Sequence, residues 1–379
     1  MKTYNKPLLI CFSHLRWNFV FQRPQHLMTN FANEYLVIYV EEAIFVEQSR
    51  PTLQINKFND SVKILTPTLP QNILIQELEC TQRALLEEFI FTNNYVVSVL
   101  WYYSPMFINW TQNLPHQITV YDCMDELSAF KNAPTELKNY ELELFKQADL
   151  VFTGGVSLYE AKKNYHNAIY PFPSSVDIKH FIQARKNLVD PIDQCDIPSP
   201  RLGFYGVIDE RFDIELLKNL ATNRPDWNFI IIGPVVKINP ATLPQIKNIH
   251  YLGSKFYDEL PSYLANWDVS LLLFALNEST RFISPTKTPE YLAGGKPVVS
   301  TPIADVIKSF GDSSLVSIAD PLDINAFISA IESALHVAKN PMAVYKKADV
   351  ILNGQSWQST YAAMHDLMLT KACSKKDVA

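Results

Sequence analysis

Ser284-Pro285-Thr286-Lys287-Thr288-Pro289-Glu290-Tyr291-Leu292-Ala293-Gly294-Gly295-Lys296-Pro297-Val298-Val299-Ser300 reads as loop, helix, turn and buried strand. Ser284 suits a helix cap and Pro285 its first turn, where backbone N–H groups lack intrahelical acceptors. Gly294-Gly295 can end the helix, and Pro297 prevents its continuation. The helix offers free N–H groups, the cation Lys287 and, a turn later, the carboxylate Glu290. Free N–H groups and a lysine suit a phosphate. An ionised carboxylate only accepts hydrogen bonds, so Glu290 suits sugar hydroxyls. These are the parts needed to hold a nucleotide by its diphosphate and ribose, with Ser284 and Thr286 in the same binding loop. The competing reading is a surface helix with an ordinary Lys/Glu pair at i,i+3.

Outward from this stretch the chain alternates. Upstream, residues 269–275 form a buried apolar run, and the polar segment 276–283 places Asn277 to touch a transferred group. Strands are expected at 202–207, 227–233, 249–252 and 314–318, with helices at 214–222, 258–266 and 324–339. The first half repeats the pattern. Its strands fall at 8–13, 35–40, 62–65, 95–103, 118–121 and 150–153, and its helices at 24–33, 73–91 and 136–148. Strand–helix alternation predicts parallel α/β sheets. A proline-rich, aperiodic segment separates the halves, so two doubly wound, Rossmann-like domains are expected at 1–183 and 200–355. Ligands of such sheets bind outside the carboxyl ends of the strands, and two such domains facing each other make a cleft.

Strand-end residues therefore carry the candidate chemistry. Gly206 would let a ligand approach the backbone, and Arg211 in the same loop either reaches a diphosphate or pairs with Asp209, Glu210 or Asp213. Gly233 either presents backbone to a base or ribose or is a plain turn. In the first half, Asp122 ends a strand as a base, a sugar-orienting group or, with Asp125, a cap for the next helix. His14, Trp17, Arg23 and His26 cluster around the first strand-end loop. Trp17 could stack on a sugar, and Arg23 and His26 share a helical face. Each histidine taken singly reads better as structural.

The bulk numbers exclude several classes. The 379 residues are enough for two or three domains, and the 47% apolar content can fill their cores. A net charge of −6 argues against general nucleic-acid binding. The five cysteines are scattered without CxxC or zinc spacing, which favours reduced thiols. No run approaches a membrane span, and the expected location is cytoplasmic, with any membrane contact peripheral. No metal-ligand set, Ser-His-Asp arrangement, Walker lysine or GxGxxG fingerprint is present.

The chain resembles bacterial glycosyltransferases of the two-Rossmann-domain type, GT-B, group 1/4-like. The resemblance rests on 284–300, on Tyr263-Leu264-Ala265-Asn266-Trp267-Asp268-Val269, and on Ser175-Val176-Asp177 with Phe181. Arg23-Pro24-Gln25-His26-Leu27 resembles a subgroup of surface-polysaccharide or teichuronic-acid type. The resemblance implies transfer of a sugar from a nucleoside-diphosphate sugar, UDP- or GDP-linked, to an acceptor hydroxyl, without metal or other cofactor. Glu290 would bind the ribose, and Lys287 and Arg211 the diphosphate. The first domain would hold a saccharide or lipid-linked saccharide acceptor near His14, Trp17, Arg23, His26 and Asp122. The final helix, 356–372, would brace that domain. Asp122 would be the base of an inverting enzyme; the resemblance leans to a retaining one. Three features depart from the common pattern: Glu278 and Glu290 stand farther apart than the usual glutamate pair, His14–Asn18 replaces the glycine-rich first loop of many members, and the usual arginine just after the first glycine of the second domain is missing, Arg211 coming five residues after Gly206. The rival readings are an epimerase of the same architecture, a small-molecule-binding protein, and a catalytically weak partner subunit.

Overall fold

The computed structural model of the protein describes residues 6–111 and 113–376. The chain divides into two compact units, one of residues up to Pro173 together with those from Trp357 onward, the other Ser174–Ser356.

In the first unit the strand Leu8–Ser13 is buried along its whole length. It pairs in parallel with Leu36–Glu41 on one side and Val97–Tyr102 on the other. The sheet continues through Val62–Pro70 in one direction and through Ile118–Cys123, Leu150–Thr153 and Ile169–Pro171 in the other. Burial on both faces explains why these strands read as continuous apolar runs. Strand Thr52–Asn59 runs antiparallel along Val62–Pro70 and is not legible in the sequence. It is an almost wholly exposed edge, so its residues carry no apolar alternation. The final helix, Trp357–Lys376, lays Trp357, Met364 and Met368 into the same core as Leu27, Phe31 and Trp101.

The second sheet is wholly parallel. Its strands lie in the order Ile249–Gly253, Asn228–Ile232, Arg201–Tyr205, Val269–Leu272, Val298–Ser300 and Val316–Ile318. Successive side chains point to opposite faces, so Tyr205 joins one core layer with Trp267 and Tyr291, and Phe204 the other with Leu217 and Phe327. Strand order reverses between Arg201–Tyr205 and Val269–Leu272, which is where doubly wound sheets take their ligands.

The segment expected to link the domains is instead packed into the second unit, so the first ends at Pro173 rather than at 183. Phe181, Ala184 and Ile197 are core residues beside Leu264 and Trp267. Buried Gln194 accepts from Trp267 Nε1 at 2.8 Å, and Arg201 pairs with Asp190 at 2.5 Å. Isolated anchors of this kind leave no period to read. Among the described residues no helix is long and apolar enough to cross a membrane.

Candidate functional site

The carboxyl end of strand Arg201–Tyr205 passes into Gly206, whose φ of +147° favours glycine. A Cβ there would meet Lys287 Cε at 2.1 Å and Nζ at 2.7 Å, so the lysine side chain lies against the bare backbone. Its ammonium stands 5.7 and 5.8 Å from the ring centroids of Phe204 and Phe274. Gly233, at the end of the neighbouring strand, is required for packing: its Cβ would meet the Gly206 carbonyl oxygen at 1.9 Å. The structure thus uses Gly233 to seat Gly206, where a contact to base or ribose was one expectation.

Lys287 opens the helix Lys287–Ala293, which has only seven residues. So short a helix adds little dipole, and the lysine carries most of the positive charge. One turn on, Glu290 is buried and accepts from the Tyr205 hydroxyl at 2.9 Å. Tyr291 completes the brace by accepting from Tyr205 N at its own hydroxyl, 3.1 Å away. Burial pushes the Glu290 carboxyl above the usual range, and Lys287, Tyr205 and the Thr286 side chain pull it part of the way back. Lys287, Thr286, Glu290 and Gly206 are therefore brought together. Sequence reasoning does not find Tyr205; its only signal is a hydroxyl ending an apolar strand just before a glycine.

Other expectations are corrected. The helix starts after Thr286, and Ser284 does not cap it. Ser284 instead accepts from Ser174 N at 3.2 Å, while its carbonyl accepts from the Ser174 hydroxyl at 2.5 Å. Arg211 is held by its neighbour: Nε and Nη2 donate to both oxygens of buried Asp209 at 2.7–3.2 Å. Of the acids crowding this loop, it is Asp209 that engages the guanidinium. Asn277 is a structural tie. Its Oδ1 accepts from Ser279 N and Thr280 N, and its Nδ2 donates to the Glu210 carbonyl at 3.0 Å.

In the first unit the expected acceptor residues are mostly interior. Arg23 and Asp122 are buried together, with Nε and Nη2 donating to the two carboxylate oxygens at 3.0 and 2.8 Å. Burial lifts the Asp122 carboxyl despite the pull of Arg23. Burial alone would lower Arg23, but the Asp122 charge overrides it and holds the guanidinium protonated. Each group is the other's main partner, and Arg23 also donates from Nη1 to the Phe172 carbonyl at 2.7 Å. Trp17 is 3% exposed, edge-on to Tyr39 and Phe58 at 5.0 Å. His26 stacks on Trp357 at 4.9 Å inside the core. Half-buried His14 alone of the four remains at the strand end. Among the described residues no cluster of three or more His, Cys, Asp or Glu could hold a metal ion.

Residues 200–336, which include Gly206, Lys287 and Glu290, match the family described as glycosyl transferases group 1. A Bacillus subtilis (strain 168) protein described as a putative teichuronic acid biosynthesis glycosyltransferase, TuaH, is 25% identical over 55% of this chain and 56% of its own. The match spans little more than half the length of that curated relative. Sucrose-phosphate synthase from Thermosynechococcus elongatus superposes with a TM-score of 0.73 at 13% identity, over 97% of this chain and 100% of that one. Anabaena HepE, in complex with UDP and glucose, gives 0.68 at 13% identity, over 96% and 99%. The E. coli trehalose-6-phosphate protein bound with UDP-2-fluoro glucose gives 0.68 at 12%, over 95% and 98%. At such identities the likeness is one of fold. Residues 200–336 of the second unit thus match the group 1 glycosyl transferase model, in a chain with the two-Rossmann-domain GT-B fold.

Proposed function

We propose that this protein transfers a sugar from a nucleoside-diphosphate sugar to a hydroxyl of a saccharide or lipid-linked saccharide, in surface-polysaccharide or glycan synthesis on the cytoplasmic side of the membrane. The observation that carries the reading is the pairing of Lys287, seated on Gly206, with Glu290, held by Tyr205, at the switch point of the second sheet. Gly206 admits a diphosphate to the backbone, Lys287 supplies its counter-charge, and Glu290 accepts from the ribose hydroxyls. The bond from the sugar's anomeric carbon to the diphosphate breaks with its electron pair going to the phosphate oxygen. Lys287 stabilises the charge that grows there, which needs no metal. The anomeric carbon becomes oxocarbenium-like and bonds to the acceptor oxygen.

We read the transfer as retaining, with the leaving phosphate taking the acceptor's proton. The burial of Asp122 against Arg23 favours this, because an inverting reaction needs a side-chain base and that candidate is occupied. UDP and GDP are both candidate nucleotides. A mass-detected panel of UDP- and GDP-sugars, with and without a lipid-linked saccharide, tests the reading. Sugar appearing on the acceptor supports it; donor turnover without acceptor points to an epimerase, and binding without turnover to a partner subunit.

A further inference from the structure

The loop of residues 206–213, which extends from the end of strand Arg201–Tyr205, carries three acids, and two have evident tasks. Asp209 takes Arg211 with both oxygens. Asp213 caps the next helix, accepting from Leu216 N at 2.9 Å. The third is Glu210. Both of its carboxylate oxygens are shielded from solvent, and neither has a hydrogen-bond partner among the described residues. Yet the loop beneath it is firmly held. Ala275 N donates to the Arg211 carbonyl and Asp213 N to the Leu273 carbonyl, both at 2.8 Å. Asn277 Nδ2 donates to the Glu210 carbonyl at 3.0 Å, and Phe212 bridges Phe274. An ionised carboxylate withdrawn from water and given no donors is costly. With the backbone fixed, the side chain gains donors only by turning out of this covered position, and a ligand that supplies them favours the turn.

The surroundings decide the kind of donor. Among the described residues no carboxylate cluster could hold a metal ion, and a phosphate would be repelled. Glu290 is bonded to the residue before Gly206, and Glu210 lies in the loop after it. If Glu290 takes the ribose at one end of the diphosphate, a second acceptor is available for hydroxyls at the other end. We infer that Glu210 is a donor-specificity residue whose carboxylate accepts hydrogen bonds from hydroxyls of the transferred sugar. This rests on the function proposed above. The transferred class is then a sugar with free hydroxyls, recognised by a charged acceptor.

The test is calorimetric binding of UDP, UDP-glucose, GDP and GDP-mannose to the full chain and to Glu210→Gln. The nucleotide series that the parent protein binds is the one compared. The expected result is bare-nucleotide affinity within about twofold of the parent, and sugar-nucleotide affinity weakened about tenfold or more. Unchanged sugar-nucleotide affinity, or equal loss in both arms, overturns the inference while leaving the nucleotide site standing. Failure of the parent to bind any of the four overturns the function proposed above, and this inference with it. Should Glu210→Gln melt too low to measure, Glu210→Asp, which keeps the charge but withdraws the oxygens, carries the same comparison. It should lose affinity only in the sugar-nucleotide arm, and equal loss in both arms overturns the inference there too.

Discussion

The Lys287 side chain occupies the space that any side chain at position 206 would need, with Cε 2.1 Å from where a Cβ would stand. Gly206→Ala must therefore displace the lysine, besides straining a backbone at φ +147°. Binding of UDP or GDP should fall by roughly ten- to a hundredfold, the scale of a lost charge-assisted contact. Gly253→Ala is the control for strain alone. Its φ is +69°, but nothing lies within 4 Å of its Cβ position, so nucleotide affinity should hold. Equal losses in the two variants, read by calorimetry, would detach Lys287 from nucleotide binding.

Lys287→Ala should cut transfer by two to three orders of magnitude, roughly the effect of removing a group that meets leaving-group charge. EDTA should leave the parent rate unchanged, and millimolar Mg²⁺ should restore part of the variant's rate by replacing the missing charge. Loss of parent activity in EDTA would place the charge stabilisation on a metal instead.

Glu290 accepts most strongly from a ribose when ionised, and its folded-state carboxyl lies above the usual range through burial. Donor affinity should therefore fall on acidification at a pH above the ordinary glutamate value of about 4.3. Stability runs the other way. A carboxyl raised on folding holds its proton more tightly in the folded state, so its contribution is present at low pH and is lost as pH rises through the folded value. Between the two values, acidification should weaken binding while raising the melting temperature relative to Glu290→Gln. Parallel pH profiles for parent and Glu290→Gln, in titrations and melts, would remove Glu290 from the binding site.

Arg23 and Asp122 form a buried pair with no solvent to replace a lost partner. Asp122→Ala should cost about 3–5 kcal/mol, because the guanidinium is left charged and unpaired. That is a fall in melting temperature on the order of 10 °C for a unit of this size. The double variant Arg23→Met/Asp122→Leu should recover much of the loss. A retaining enzyme should keep its turnover per folded molecule in the double variant. Full stability with abolished turnover in Asp122→Asn would return the aspartate to the role of base.

The stability of this pair and the chemistry at Gly206 differ in how far they can be read from sequence. Lys287 and Glu290 are legible because a one-turn spacing is local and the strand-end rule says where to look. Tyr205 is not, because its meaning depends on Glu290, 85 residues away. Arg211 reads as either phosphate ligand or ion-pair partner, and only the folded loop shows Asp209 turned back onto it. On the acceptor side, Trp17, Arg23 and His26 prove interior for a related reason. Strand-end position gives where a residue starts, whereas direction of burial depends on what packs above it. His26 and Trp357 come from opposite ends of the chain and meet as stacked rings.

The strand–helix alternation of both sheets and the lysine–glutamate spacing of the second are written in the chain order, since alternation and helical spacing are properties of neighbouring residues. Tertiary structure alone decided which charges face each other. Arg23 and Asp122 are 99 residues apart and mutually neutralised, while Glu210, beside two acids that each have a partner, is left with both oxygens unclaimed by the described chain. Pairing in a desolvated interior is set by distance in space, and the linear order of the chain does not record that distance.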